Sequence, residues 1–286
     1  MTTVFVYHSP CMDGYVCAYI AWLNSQQNPG TFFQFMPFQP SDPAPNVSLV
    51  KGKHVIFADI CWSKEKMDEY EQNALSLLVL DHHETNQKAL EGASYAKFDM
   101  NKSACMLVWQ LFFPLKPMPV PLYYIGMKDI WIHKQSMVAE AFMLACPNQA
   151  EFPTFLDFHT FISDPKAVAK TIEKGMHLFD YQEAKLKEMA SAATTHIWNG
   201  VPVILINASW PWTSDLGHYL CQEKPDHVVM LWTKKPKSPF NVSLRSHDQD
   251  GPNVALLAQT MKGGGHAHAA SFRMNELPET LFSSSL

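Results

Sequence analysis

Three apolar runs in this chain each end in a side chain able to ligate a metal: Val4-Phe5-Val6-Tyr7-His8, Val55-Ile56-Phe57-Ala58-Asp59 and Leu77-Leu78-Val79-Leu80-Asp81-His82-His83. In open parallel sheets, ligands bind beyond the carboxyl ends of the strands. A single Asp after a strand is an ordinary turn starter. Three such ends, with two further imidazoles, point to a site. Asp13, Asp59, Asp81 and Asp129 would crowd one crevice, and no Lys or Arg lies within the strand-end runs. Two carboxylates 4 Å apart repel by roughly 4 kcal/mol at an effective dielectric of about 20. They must protonate or share cations. Mixed imidazole and carboxylate ligands suit manganese, magnesium, iron or cobalt better than a tetrahedral structural zinc.

A second constellation is Gly263-Gly264-Gly265-His266, followed by Ala267-His268-Ala269-Ala270. Consecutive glycines let a backbone approach a ligand and turn its amides toward an anion. A histidine at such a tip can donate to phosphate or handle a proton. The plainer reading is a flexible turn before a final strand.

Alternating elements must position these groups. Strands are expected at Val4–Tyr7, Thr31–Phe38, His54–Ala58 and Ser76–Leu80. Helices are expected at Tyr15–Asn24, Ser63–Asn73 (Ser63 as N-cap) and Ser103–Phe112. A proline-rich loop runs from Gln39 to Asn46. The alternation predicts parallel β-α-β units. Further helices are expected at Met118–Met127 and Ala139–Cys146, and a long one over Pro165–Ala193. The pattern then restarts, with strands at Val201–Ile206, His227–Trp232 and Phe240–Arg245 and helices at Asp215–Gln222 and Asn253–Met261. The expected class is α/β: residues 1–163 form a parallel-sheet catalytic, metal-binding domain, 164–196 a linker helix, and 197–286 a smaller substrate-binding domain, with the active site in the cleft between them.

Composition narrows the partners. The 286 residues are 47% hydrophobic and 17% charged, with a net charge of −5, so a core is expected and a duplex-coating basic face is not. The six cysteines form no C-x-x-C pair and read as free thiols of a reducing compartment. No leader-like segment precedes Val4 and no run of about 18 apolar residues occurs, so a cytoplasmic protein without a membrane span is expected.

These residues resemble the DHH phosphoesterase family, in the order of its motifs and over nearly the whole chain. Asp81-His82-His83 is similar to the namesake triplet and His8-Ser9-Pro10-Cys11-Met12-Asp13-Gly14 to the N-terminal signature. Asp59 and Lys128-Asp129-Ile130-Trp131 look like the second and fourth motifs. Ser243-Leu244-Arg245-Ser246 and Gly263 to Ala270 look like the family's associated substrate-binding domain. The closest overall look is to compact nano-RNases and small-nucleotide phosphatases. The resemblance implies two divalent ions per active site, usually manganese, with magnesium, cobalt, iron or zinc as substitutes. His8, Cys11 and Asp59 would face one ion. Asp13, Asp59, His82 and Asp129 would face the other, with Asp59 bridging. His83 would touch the substrate phosphate and Asp81 would orient its histidine neighbour. Arg245, Gly264, Gly265, His266 and His268 would hold substrate, with His266 also able to protonate the leaving oxygen. A hydroxide activated by the two ions would attack phosphorus. Two departures stand out. Family members usually carry Asp where this chain has Cys11, with a different spacing, so Cys11 ligates as a thiolate or is a spectator. Ser271 stands where glycine is common.

Other residues have plainer roles. His133 would share a helical face with Asp129, or lie on the surface. Ser103 and Ser214 read as helix caps, His54 as a strand start, and His218 as a residue able to approach substrate. The tryptophans are mostly core candidates, with Trp131 and Trp210 able to stack on a base. Three functions follow: hydrolysis of phosphodiester bonds in short oligonucleotides or dinucleotides; a phosphomonoesterase or exopolyphosphatase acting on a nucleoside 3',5'-bisphosphate or polyphosphate; and a non-catalytic nucleotide sensor. A polyphosphatase needs further basic residues, and the second domain has Lys224, Lys234, Lys235, Lys237 and Arg245, but the lysine-proline run near 234–239 reads as a surface turn, which favours nucleotides over polyphosphate. A homodimer is left open.

Overall fold

The computed structural model describes residues 2–247 and 250–282, and the side chains of His133 and His266 lie outside the described residues. In chain order the elements are β1 (Thr2–His8), α1 (Met12–Gln27), β2 (Phe32–Phe38), β3 (His54–Ala58), α2 (Lys64–Asn73), β4 (Ser76–Asp81), α3 (Glu84–Ala89), β5 (Ala96–Phe98), α4 (Ala104–Phe112), α5 (Val120–Asp129), α6 (Met137–Ala145), α7 (Phe155–Ser163) and α8 (Pro165–Ala190). Then follow β6 (Thr194–Trp198), β7 (Val201–Asn207), α9 (Thr213–Glu223), β8 (Val228–Lys234), β9 (Phe240–Arg245), α10 (Val254–Thr260), β10 (Gly264–His266) and β11 (Ala269–Met274). The chain divides into two compact units, Met1–Phe179 and Asp180–Leu286, with the division inside α8.

Among the described residues, the first unit holds a parallel sheet of order β2-β1-β3-β4-β5. Its strands read as continuous apolar runs because both faces are covered. Side chains alternate between the faces. Phe5 and Tyr7 join Val16, Tyr19 and Ile20 of α1 and Cys105 and Val108 of α4 in one core. Val4 and Val6 join Val55, Phe57 and Val79 with Met67 and Tyr70 of α2 in the other. The order of strands matters for function. β2 follows β1 on one side and β3 is added on the other, so the order of strand addition reverses between β1 and β3. That reversal opens a crevice at the carboxyl ends of the strands.

The second unit carries a mixed sheet of order β10-β11-β9-β8-β7-β6, in which β7 and β8 run parallel and the other pairs antiparallel. α10 covers one face through Val254 and Ala258. α9, with Leu186 of α8, covers the other through Leu216 and Leu220. The α/β class expected from the sequence is the observed one.

Several local expectations change. α1 starts at Met12 rather than Tyr15, because Cys11 is the extended N-cap residue and Asp13 lies in the first turn, where a negative charge is favoured. α7 was not expected, although Thr154 and Asp157 form a capping box that marks its start. α3 and the short strands β5 and β6 were also not expected. α8 ends at Ala190 rather than Ala193. Among the described residues, no helix is long and apolar enough to cross a membrane.

Candidate metal centre

His8 closes β1, and the chain then passes through Ser9–Cys11 into α1. α1 crosses the end of β1 so closely that a Cβ on Gly14 would lie 2.1 Å from the His8 carbonyl oxygen. Only glycine permits that approach. Asp59 follows β3 directly, with φ of 64°, a left-handed conformation that Asp tolerates better than most residues. Its N–H donates to the Leu80 carbonyl (3.0 Å), tying it to β4. Asp81 is the last residue of β4, with His82 and His83 beyond it. Asp129 is the last residue of α5.

These elements bring two ligand groups together. His8, Cys11 and Asp59 form one, and Asp13, Asp59, His82 and Asp129 the other; within each, one ligand atom per residue lies within 4.8 Å of every other. Asp59 belongs to both. Its Oδ2 is 3.2 Å from His8 Nδ1, and its Oδ1 is 3.5 Å from His82 Nε2. His82 Nε2 lies 2.7 Å from Asp129 Oδ2. Among the described residues, Asp59 Oδ1 and His82 Nε2 are buried atoms without a well-formed hydrogen bond. A buried polar atom left so costs free energy. Asp13 and Asp59 are only 1% and 2% exposed. Orphaned carboxylate and imidazole atoms facing one another are the donor set of a divalent-cation site, and the residues present fit one.

The electrostatics agree. Burial, then the charges of Asp129 and Asp59, push the Asp13 carboxyl well above its ordinary 3.8. The Cys105 amide, in the first turn of α4, donates to both Asp13 oxygens (3.3 Å each), and the Cys105 side chain partly offsets the rise. Burial opposes charge on Asp59, but His8 and His82 outweigh it and hold the carboxyl down at about 2. Burial also opposes charge on His82, yet Asp129 and Asp59 push it up to about 11. Burial, then Asp59 and Asp129, raise the Cys11 thiol. The helix N-terminus that often acidifies a thiol is overridden here, so only a cation would make Cys11 a thiolate.

Asp81 does something different. Its buried carboxylate accepts from the His82 N–H (2.7 Å), the His83 N–H (3.1 Å), His83 Nδ1 (2.7 Å) and Asn86 Nδ2 (2.6 Å). Although it stands close to Asp59, His82 and His83, four donors already engage its carboxylate, three of them at Oδ1. It orients His83, whose pKa rises through the Asp81 bond against the opposing effect of burial.

The second unit's candidates are held by their own neighbours. Arg245 donates from Nη1 to the Leu244 carbonyl (2.9 Å) and from Nη2 to Ser214 Oγ (3.3 Å). Its stem crosses α9 at Gly217, where a Cβ would lie 2.8 Å from Arg245 Cγ. His268 Nδ1 is 3.0 Å from Ser246 Oγ. Gly264 and Gly265 are not an open anion-cradling turn. They lie in β10, opposite Ser271 and Ala270 of β11. Gly265, with φ of 144°, packs so closely that a Cβ would sit 2.5 Å from Ala270 Cα, whereas Gly264 meets nothing within 4 Å. The proposed part played by the His266 side chain lies outside the described residues.

Other expectations are corrected. The helix shared by Asp129 and His133 ends at Asp129, and the chain turns at Trp131 with φ of 62°; the His133 side chain is outside the described residues. Ser63 and Ser103 hold N-cap positions but make no capping bond. Ser103 instead lies 3.3 Å from Cys105 Sγ. Ser214 lies inside α9, not before it, and accepts from Arg245. His54 starts β3, as read. Trp131 and Trp210 are exposed, with Lys128 Nζ 4.9 Å from the Trp131 ring centroid. A cavity of about 580 Å³ lined by Gln87, Lys88, Glu91 and Phe98 holds none of the cluster residues. Sequence reasoning gave Gly14 no role of its own and passed over Asn86, the Cys105 amide and Gln149, whose side chain reaches Ser9 and Cys11.

No family model matches the chain. An uncharacterized protein, R106 of Acanthamoeba polyphaga mimivirus, is 28% identical over 283 residues, spanning 93% of this chain and 66% of its own length. The chain thus covers slightly under two thirds of that curated relative. Among solved structures, an exopolyphosphatase-related protein from Bacteroides fragilis is similar with a TM-score of 0.60 at 12% identity, covering 99% of this chain and 89% of that one. The pGpG-specific phosphodiesterase PggH from Vibrio cholerae is similar with a TM-score of 0.52 at 14% identity, over 96% and 94%. At these identities the likeness is one of fold.

Proposed function

We propose that this chain is a divalent-metal phosphoesterase that hydrolyses phosphodiester bonds in short oligonucleotides or dinucleotides, using two ions, manganese by preference. One observation carries the reading: the two oxygens of buried Asp59 face two different ligand groups, one with His8 and Cys11, the other with Asp13, His82 and Asp129. Two cations held there supply Lewis acidity toward phosphate oxygens and a nucleophile drawn from water at neutral pH. The chain's own residues do the rest. Asp59 sets the spacing of the two groups. The α4 amide of Cys105 fixes Asp13. Asp81 holds His83 through Nδ1, which leaves the other ring nitrogen to donate to a phosphate oxygen as charge grows there. Arg245, His266 and His268 are the further candidates for holding substrate, the arginine by its planar fork.

The likeness to PggH supports a small nucleotide diester. The likeness to the Bacteroides fragilis protein favours a second reading, cleavage of a polyphosphate or a nucleoside 3',5'-bisphosphate by the same metals. Purified protein with manganese, offered a dinucleotide, a nucleoside 3',5'-bisphosphate, a cyclic dinucleotide and polyphosphate, separates the readings. Mononucleotide product supports the diesterase, and phosphate release alone supports the second reading. Binding without turnover contradicts both and leaves a nucleotide sensor.

A further inference from the structure

The loop that carries His8 and Cys11 is spanned by a side chain from far along the chain. Gln149 accepts at Oε1 from the Cys11 N–H (3.3 Å) and donates from Nε2 to Ser9 Oγ (2.9 Å). One amide thus joins both ends of the Ser9-Pro10-Cys11 link, while the Ser9 N–H is tied to the Phe38 carbonyl of β2 (2.9 Å). Gln149 itself stands on a firm base. It begins a short 3-10 turn closed by a capping box between Asn148 and Glu151, and the adjacent Phe152 packs on Phe158 and Phe161 of α7, with ring centroids 5.0 and 5.4 Å away.

We propose that Gln149 is a positioning residue for one of the two ions, the one facing His8 and Cys11, an inference that rests on the two-ion reading of the site. The Cys11 amide belongs to the N-cap of α1, where it has no partner within the helix. Binding it to Gln149 Oε1 sets the direction in which Cys11 leaves the backbone. The other ligand group is held by different means: Asp13 by the α4 amide, His82 at the end of β4, and Asp129 at the end of α5. Gln149 bonds none of these. Its loss should therefore be felt by one ion and not by the other. Groups that orient ligands without touching the metal affect affinity by about 10- to 100-fold.

Calorimetric titration of the full chain with manganese tests this. The wild type should bind two ions. Gln149→Ala should weaken one by about tenfold or more and leave the other unchanged, with the melting temperature of the metal-free protein preserved. Ser9→Ala, which removes only the Nε2 acceptor, should weaken the same ion less, and Gln149→Ala should add nothing in a His8→Ala background. Equal weakening of both ions, or a fall in metal-free stability that accounts for the change, would show a merely structural residue and overturn the inference. Two unchanged ions in Gln149→Ala overturn it alone. A wild type that binds no manganese overturns the two-ion reading and this inference together.

Discussion

The two units of this molecule treat their candidate functional groups in opposite ways. At the carboxyl ends of β1, β3 and β4, buried Asp59 Oδ1 and His82 Nε2 make no well-formed hydrogen bond among the described residues, and carboxylates crowd one another. In the second unit, Arg245 donates to Leu244 and Ser214, and His268 is bonded to Ser246. The first arrangement is costly until a cation enters. The second is stable as it stands. Selective ion binding suits preformed but unsatisfied ligands. Substrate exchange suits groups that return to an internal partner when product leaves.

The comparison can be broken most severely at Asp59. Asp59→Asn should lower kcat/KM by at least about a thousand-fold, about 4 kcal/mol, and reduce manganese stoichiometry, because both ligand groups lose their shared carboxylate. Steady-state kinetics with parallel titration reads both.

A pH series sharpens the same contrast. In the metal-free protein the His82 imidazole is pushed up to about 11 from an ordinary 6.5. Its contribution to stability is fully present below about 6.5 and is lost as pH rises through about 11. The raised Asp13 acts with the same sign from 3.8 upward. Asp59, held at about 2, has the opposite sign: its contribution is present above 3.8 and is lost as pH falls through about 2. Cation binding must displace the proton on His82, so manganese affinity should rise between pH 6 and 8 by about tenfold per pH unit. A flat affinity profile would show that His82 does not ligate.

Asp81→Asn should lower kcat by about 10- to 100-fold with both ions still bound, since Asp81 holds His83 through lone pairs already in use. Loss of an ion would make Asp81 a ligand instead. In the second unit, Arg245→Ala should raise KM by about tenfold with kcat nearly kept. Gly217→Ala should do the same more weakly, since its Cβ would displace Arg245 without removing it. A kcat effect as large as that at Asp59 would erase the distinction between the units. The smallest effect is expected at Cys11: Cys11→Asp should preserve or modestly raise turnover if that position ligates, and a strong loss would make the thiol indispensable.

Much of the first unit could be read from the chain, because a fully buried parallel strand is a continuous apolar run and its last residue is conspicuous. His8, Asp59 and Asp81 stood out for that reason. The start of α1 was read three residues late, because Met12 and Asp13 give no apolar period; the capping position of Cys11 decides the boundary. The glycine tract was harder. Consecutive glycines suit a loop, yet Gly265 is needed for close strand packing against Ala270. Gln149 left no trace in the sequence at all. Its function depends on a contact 138 residues away with Cys11, and neither periodicity nor motif encodes such a contact. The local bonding of Ser103 and Ser214 was likewise decided by neighbours, Cys105 and Arg245, that helix-capping rules do not consider.

Anomalous diffraction from crystals soaked in manganese reads the centre directly. Two peaks are predicted with a carboxylate oxygen of Asp59 on each, one peak beside His8 and Cys11, the other among Asp13, His82 and Asp129. Manganese found only away from these side chains, or no ordered manganese at all, would contradict the account.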